Sequence, residues 1–542
     1  MAPTTSVAFD VSQLVVDKTR IRDEDGFVGT VRYVGPVASA KKNPDEVYVG
    51  VEWDDASRGR HNGSVVCRRT RQLVQHFVCS GGSMSGSFVR PHKIDLGTEL
   101  SQSLVRSKYV DMDAPLVAPG NILPDAYART SSGVEKKPIE FVGELKIRKQ
   151  QQIDSLHRMA LRNQGIATVD TNHHHHWRVN HVQELDLGGN LLSSWRTVLV
   201  DIMQAFPNLE SLSLASNRIG DLDDTLANEL LAIQPDDDDN NKRMVVLNLH
   251  NCGITSMATL QHLDRFFPCL QDLCIASNKM NTRLEGQTPI EGFKNLKTLD
   301  MSSCGWFSWN EHILQWSHLQ ALETLHLQDN AIEDLPRCSE SNGASSYFAS
   351  LQHLSLSNLP VAEWSNLEGL QGLPALRSLT LRQTPLTSSM GAAEARAHLI
   401  ARFPSLTALN SSTISVKERS EAERRYVHYV RHVLLLNPVQ EGNQDEWLER
   451  LHPQYKRLLA LHPPPAVPNG AHGSTLATFV LNVTIVPMAP RSCHLEPLHK
   501  RLPATLTVSR LKSLCARVFE LDYDLQLLHF RSRDEVRRAK FG

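Results

Sequence analysis

Between positions 58 and 93 the chain carries seven basic residues, Arg58, Arg60, Arg68, Arg69, Arg71, Arg90 and Lys93, and no aspartate or glutamate. The formal net charge of all 542 residues is only −2, so this cluster is a local field, and a local cationic field implies an anionic partner. Glycines punctuate the same stretch. Gly59 and Gly63 bracket Arg60, His61 and Asn62, and Gly81, Gly82 and Gly86 follow. Glycine lets backbone approach a ligand closely, and exposed N–H groups in such loops can receive a carboxylate. The chemistry on offer is recognition of an acidic ligand. Nucleic acid is also acidic, but the stretch is too poor in aromatic residues to stack bases.

Signatures for bond-making chemistry are missing. The sequence has no GxxxxGK[ST] phosphate loop, no GxSxG, no HExxH and no CxxC pair. His173 to His176 are consecutive in a loop-like stretch and cannot all point at one ion, so they read as a polar loop and no metal or other cofactor is expected. The four acids Asp236 to Asp239 lack the alternation and glycine turn of a calcium loop and read as a solvated insertion. The nine cysteines are odd in number and scattered, which favours free buried thiols in a reducing compartment. The start of the chain lacks a basic n-region, and no apolar run approaches the roughly 20 residues of a membrane span. The expectation is a cytoplasmic protein without membrane or nucleic-acid partners.

The basic stretch needs a scaffold, and Gly26 to Ile94 supplies one. Val28 to Val34 and Val47 to Trp53 are β-branched and aromatic in the manner of strands, with Gly35-Pro36 as a turn signal, so this region predicts a small barrel or sandwich. Further on, a motif LxxLxLxxNxL recurs. Its leading apolar residue falls at Val182, Leu209, Met244, Leu270, Leu296, Leu322, Leu351 and Leu376, and positions 270, 296 and 322 are evenly spaced by 26. This is leucine-rich-repeat spacing, and it predicts a solenoid whose strands line a long concave face.

Asn190, Asn217, Asn278 and Asn330 occupy the repeat's Asn position, where an amide can satisfy backbone groups of the neighbouring coil. Cys252 and Cys304 take that place in the intervening repeats and read as buried and structural, while Leu359 and Thr384 mark a ladder degrading toward its C-terminal end. Phe206, Phe267 and Phe403 read as core. A strong helix follows with Ser415 as N-cap and Glu418 at N3; its face of Val416, Ala422, Tyr426, Tyr429 and Val433 is expected to close the last coil. After a Pro-rich break at Pro463 to Pro468, Thr478 to Val486 is strand-like. Arg510 to Phe519 is helical, and Leu525 to Phe530 is again strand-like.

Four stretches carry family resemblances. VGTVRYVG, VYVGVEWDD, GRHNG and GSFVRP occur in the order and near the spacing of a CAP-Gly domain. The resemblance implies binding of the acidic, aromatic-ended tail found on α-tubulin. By position, Gly59, Arg60, His61, Asn62 and Gly63 fall on the family's GKNDG signature loop. Trp53, Phe77 and Phe88 are its groove aromatics, with Arg90 beside them. Here Arg60 replaces the usual Lys and Asn62 the usual Asp, while Cys67 and His76-Phe77 depart from the family pattern, with extra residues between them. IEFVGELKIRKQ resembles the segment leading into the repeats of the tubulin-folding cofactor E family, and ERSEAERRY the segment that follows them. The β-β-α-β order near the end resembles a ubiquitin-like domain that stops before its usual last strand, and it has no terminal Gly-Gly for conjugation.

Together these resemblances imply a multidomain chain. Its parts are a small all-β CAP-Gly barrel over 10–95, a linker over 96–140 and an N-terminal cap of the repeats over 141–180. An α/β leucine-rich-repeat solenoid with a C-terminal capping helix follows over 181–440. After a linker over 441–475 comes an α+β ubiquitin-like domain over 476–542 with its last strand missing. The implied function is a non-enzymatic, cytoskeleton-associated tubulin-folding chaperone. It binds the tail and body of α-tubulin and takes part in assembly or disassembly of the αβ heterodimer. The other tubulin-folding cofactors are its implied partners, and a degradation receptor would bind the ubiquitin-like end. The alternatives are a microtubule plus-end or lattice adaptor, which usually needs a dimerising coiled coil that the sequence lacks, and a repeat scaffold unrelated to tubulin.

Overall fold

The computed structural model describes residues 11–39, 45–80, 83–106, 127–129, 136–138, 156–169, 179–233, 243–280, 290–335, 347–436, 444–463, 480–488, 494–503, 506–519, 521–522 and 526–529. The chain divides into two compact units, Met1–His462 and Pro463–Gly542. The segment resembling the lead-in to the repeats, His173 to His176, and Asp236 to Asp239 all lie outside the described residues.

The N-terminal domain contains β1 (Arg20–Asp23), β2 (Val28–Pro36), β3 (Val47–Trp53), β4 (Ser64–Val66), β5 (Leu73–Gln75), β6 (Gly86–Val89) and β7 (Ile94–Asp95). Five of them form an antiparallel sheet in the order β6-β3-β2-β1-β7, while β4 and β5 pair as a separate ribbon. Strand alternation sends Ile21, Val31, Val49, Val51, Trp53 and Ile94 into one small core. Gly35-Pro36 does not turn the chain. Strand β2 runs through both residues and places Pro36 opposite Val47, at the strand end where a missing N–H costs no ladder bond.

The solenoid's parallel strands begin at Arg158–Ala160 and continue through Glu184–Asp186, Ser211–Ser213, Val246–Asn248, Asp272–Cys274, Thr298–Asp300, Thr324–His326, His353–Ser355, Ser378–Thr380 and Ala408–Leu409. The ladder register sets Leu185, Leu212, Leu247, Leu273, Leu299, Leu325, Leu354 and Leu379 side by side, one buried leucine per coil. The leading residues of the motif, Val182 through Leu376, are all buried, as are Phe206, Phe267 and Phe403.

The asparagines stitch one coil to the next. Asn278 Oδ1 accepts from the backbone N–H groups of Cys252 and Ile254, both at 3.0 Å, and its Nδ2 donates to Leu249 O and Ile275 O, both at 2.8 Å. Asn330 repeats the pattern between Cys304, Trp306, Met301 and Leu327. At the intervening positions the thiols of Cys252 and Cys304 donate to Leu214 O and Ile275 O, both at 3.3 Å, and burial pushes each thiol up to about 12. These cysteines are structural.

Part of the region read as the 96–140 linker is built into the fold. Thr98–Glu99 pairs in parallel with Ile166–Thr168, and the helix Leu100–Arg106 buries Leu100 and Leu104 in the solenoid core. Two leucines four apart share one helix face, which is enough to seal an open coil. The N-terminal domain rests against the same end. Arg218 Nε lies 3.7 Å from Asp54 Oδ1, and a Cβ added at Gly165 would come within 2.9 Å of the Arg22 guanidinium.

At the other end the capping helix Val416–Leu436 starts as the sequence implies, with Glu418 N donating to Ser415 Oγ at 3.1 Å. Its buried face differs from the expected one: Ala422, Tyr426, Val427 and Val430 are inside, whereas Val416 is 89% and Tyr429 38% exposed. Val416 begins the first turn, ahead of the contact with the last coil, and Tyr429 sits at the rim. The 441–475 linker is also corrected. Gln444–Leu451 and Tyr455–Leu461 are helices, and their Leu448, Tyr455 and Leu458 join Tyr426, Val427 and Val430 in a second core.

In the Pro463–Gly542 unit, Val480–Ile485 pairs antiparallel with Leu498–Pro503, and the helix Val508–Phe519 buries Cys515 and Phe519. The expected strand at Leu525 to Phe530 does not appear in its described part, residues 526–529, where Leu527 is 86% exposed and no partner strand pairs with it. Among the described residues, no helix is long and apolar enough to cross a membrane, and no group of His, Cys, Asp or Glu could hold a metal ion.

Candidate functional site

Ladder register builds the site. Tyr33 pairs with Gly50 across β2 and β3, and Gly50 pairs with Phe88 across β3 and β6, so the three residues form one row on one face of the sheet. The middle position has no side chain, and the Phe77 ring fills the space. A Cβ at Gly50 would lie 2.6 Å from that ring and 2.8 Å from Tyr33 Cβ. Around Phe88 the rings converge: Phe77 at 5.5 Å, His61 at 4.9 Å, His76 at 5.3 Å and Tyr33 at 6.1 Å between centroids. Phe77 is buried while Phe88, His61, His76 and Tyr33 are half-buried, so the cluster has a solid floor and an open rim. Replacing Gly50 by alanine is expected to displace Phe77 and lower the domain's stability by about 1–3 kcal/mol. Thermal unfolding of the variant measures this.

The Gly59–Gly63 loop is held over this row by backbone. Arg60 N and His61 N both donate to Gly86 O, at 2.7 and 3.1 Å, and Gly86 N donates back to His61 O at 2.7 Å. The glycines are required by close approach. A Cβ at Gly59 would lie 2.1 Å from Met84 O, and one at Gly63, whose φ is +92°, would lie 2.0 Å from Phe77 O. Asn62 stabilises the turn by accepting from Ser64 Oγ at 2.6 Å, a task that needs only an oxygen and that aspartate would also perform.

Both histidines are held neutral. Gly63 N donates to His61 Nδ1 at 3.0 Å and Ala38 N to His76 Nε2 at 3.3 Å. Burial lowers the pKa of each, and for His61 the Arg60 guanidinium adds to it.

The basic residues divide on folding. Arg58 pairs with Asp23 at 2.8 Å and covers the Trp53 ring at 5.2 Å, Arg90 pairs with Glu46 at 2.9 Å, and Lys93 lies 3.7 Å from Glu24. Arg60, Arg68, Arg69 and Arg71 make no ion pair among the described residues and are exposed. Acids distant in sequence therefore neutralise part of a stretch that contains none.

Of the residues singled out from sequence, the structure gathers Gly59, Arg60, His61, Asn62, Gly63, Phe77 and Phe88 around one surface. It does not bring Trp53 there. Trp53 is 2% exposed in the domain core, and Arg90 is held by Glu46 at the strand end. Sequence reasoning missed Tyr33 and Gly50, and it noted His76 only as a departure from the family pattern. Pairing the two strand-like segments in register would have placed Tyr33 opposite Gly50.

The departure between Cys67 and Phe77 is the β4–β5 hairpin. Its tip closes through Cys67 N to Gln72 O at 2.8 Å and Arg71 N to Cys67 O at 2.9 Å. Hydrogen bonding with Thr70 holds the Cys67 thiol below its ordinary value.

Comparison with known proteins agrees with this geometry. Residues 16–94 match the family model of the CAP-Gly domain. The chain is 27% identical to tubulin-specific chaperone E of Danio rerio over 505 residues, covering 92% of this chain and 89% of that one. It is 28% identical to tubulin-specific chaperone E of Homo sapiens over 522 residues, covering 94% and 91%. With tubulin-folding cofactor E of Arabidopsis thaliana it shares 26% identity over 504 residues, covering 91% and 87%. Its domain order, its aromatic row and these matches agree: the chain resembles tubulin-specific chaperone E along nearly its whole length, with a CAP-Gly domain at its N-terminal end.

Proposed function

We propose that this chain is a non-enzymatic chaperone of tubulin folding whose N-terminal domain takes the acidic, aromatic-ended tail of α-tubulin. The observation that carries the reading is the half-open ring cluster around Phe88 beside an exposed Arg60 that makes no ion pair among the described residues. The rings hold the tail's terminal aromatic side chain, and Arg60 faces its carboxylates. Trp53 supports this surface from the core, and Arg90, paired with Glu46, stands two residues beyond Phe88.

The concave sheet of the solenoid then takes the body of tubulin. Tethering the flexible tail raises the local concentration for that slower, larger contact. The C-terminal hairpin and helix, read as part of a ubiquitin-like domain, recruit another tubulin cofactor or a degradation receptor. The setting is the cytoplasm and its cytoskeleton.

The test is titration of the full chain with soluble αβ-tubulin, intact or with its C-terminal tails removed. Removing the tails is expected to weaken binding by about tenfold or more, and Arg60→Glu to reproduce that loss on intact tubulin, since a lost and reversed charge-assisted contact is worth roughly 1.5–3 kcal/mol. Equal affinity for tailed and tail-less tubulin overturns the tail assignment. Binding to polymer without binding to soluble dimer transfers the chain to the adaptor reading.

A further inference from the structure

We propose that the tip of the β4–β5 hairpin is a second cationic subsite that reads the acidic residues lying upstream of the peptide's aromatic end. The proposal rests on the peptide-binding reading above and extends it to a part of the surface outside the signature loop.

The hairpin is continuous with the ring cluster at its base. Gln75 Nε2 donates to Asn62 O at 3.0 Å, and His76 N donates to Gly63 O at 3.0 Å, so the ribbon leaves directly from the glycine loop. The far end returns to the same rim. Ala38 N donates to His76 Nε2, and Ala38 O accepts from Arg68 N at 3.3 Å. His76 packs edge-on against Phe88. A path of contacts therefore runs from Arg60 and His61 over Phe88 to His76 and on to Arg68.

The tip holds Arg68, Arg69 and Arg71, all exposed and without an ion pair among the described residues. Just below it the cross-strand pair Val66 and Leu73 is 53% and 69% exposed, an apolar step on a ribbon that packs into no larger sheet. Glutamate suits both features: its methylenes lie on the apolar pair and its carboxylate reaches an arginine. The ribbon rises about 3.3 Å per residue, so the tip stands on the order of 10 Å from the rung at Ser64 and Gln75, the span of roughly three extended peptide residues. A tripeptide whose aromatic residue sits in the ring cluster has two residues left, about 7 Å of extended chain, and falls short of the tip. A longer acidic tail can reach it.

The experiment measures binding of two synthetic peptides to the full chain, Glu-Glu-Tyr alone and the same end preceded by an acidic stretch to roughly ten residues. The wild-type chain is expected to prefer the longer peptide. Arg68→Glu, Arg69→Glu and Arg71→Glu together are expected to weaken the longer peptide by about tenfold and leave the tripeptide within about twofold, each exposed pair being worth a few tenths to one kcal/mol. Retained tripeptide binding reports that the variant's groove is folded. The corresponding glutamine triple variant is expected to show the same split at a smaller size and a weaker dependence on salt. The subsite is overturned if the wild type binds both peptides equally, or if the glutamate variant loses neither or loses both to the same extent. A wild-type chain that binds neither peptide overturns the underlying peptide-binding reading itself.

Discussion

An Asn278→Ala chain is expected to unfold at a markedly lower urea concentration than the parent, with a stability loss of about 3–5 kcal/mol. Asn278 is fully buried and, besides a longer 3.4 Å contact with Ala276 O, makes four backbone hydrogen bonds, two as acceptor and two as donor, joining two successive turns of the solenoid. Alanine removes all four and leaves two N–H and two C=O groups where water does not reach, each unsatisfied group costing roughly 1–3 kcal/mol before relaxation. The native sequence supplies an internal scale. Cys252 and Cys304 hold the equivalent place with a single thiol donor each, so Asn278→Cys keeps one interaction and is expected to lose distinctly less than alanine does. A loss below about 1 kcal/mol for alanine contradicts the stitching role, because that is the size of one ordinary hydrogen bond.

The second large effect is acid fraying of the C-terminal end. Arg402 is 1% exposed and pairs with Glu368; it donates to Leu451 O at 2.8 Å and to His452 Nδ1 at 3.2 Å, and lies over the Trp364 ring at 4.6 Å. Tyr426 OH also meets His452 Nδ1, at 2.9 Å, so this nitrogen serves as acceptor and the ring is neutral. Burial, helped by the Arg402 charge, pushes both His398 and His452 down to about 4. Their unfolded value is near 6.5. Below it the unfolded chain binds protons that the folded chain refuses, so the stability is fully present above pH 6.5 and is lost as the pH falls toward 4. For the two histidines together the loss is on the order of 5 kcal/mol.

The ends of a solenoid open locally, so this loss is expected first in amides of Val416–Leu436 rather than in the central strands. Hydrogen exchange at pH 7 and pH 5 measures it. His452→Gln keeps an acceptor for Tyr426 and Arg402 and removes one titrating group, which roughly halves the slope. Equal protection of the capping helix at both pH values contradicts the assignment.

The solenoid was legible in the sequence because its register and its sequence period are the same thing. Once Leu185 and Leu212 are recognised as equivalent, their pairing follows, and so do the Asn ladder and the buried cysteines. The glycine loop was legible because Arg60, His61 and Asn62 are contiguous. The rest of the site was not, because the Tyr33–Gly50–Phe88 row exists only across strands and joins residues that no local pattern connects. Charge misled for the same reason: Asp23 and Glu46, which hold Arg58 and Arg90, are far away along the chain. The helices Gln444–Leu451 and Tyr455–Leu461 were hidden by their brevity and by His452-Pro453 between them, each presenting too few apolar positions to establish a period. Leu525 to Phe530 failed in the opposite direction. A strand needs a neighbour, and composition cannot provide one.

The short helix Leu100–Arg106 leaves the ribosome before any of the coils whose end it closes. The first domain is complete by residue 95 and can fold during synthesis, while Leu100 and Leu104 wait exposed for Ile166 and Leu185 to arrive. The array is thus built outward from a stopper already in place, and its nascent edge is open on the C-terminal side only, until the helices ending at Leu461 are translated. A protease nick between Arg106 and the first coil would, on this arrangement, leave the stopper held to the array only by its packing and by the Thr98–Ile166 pairing.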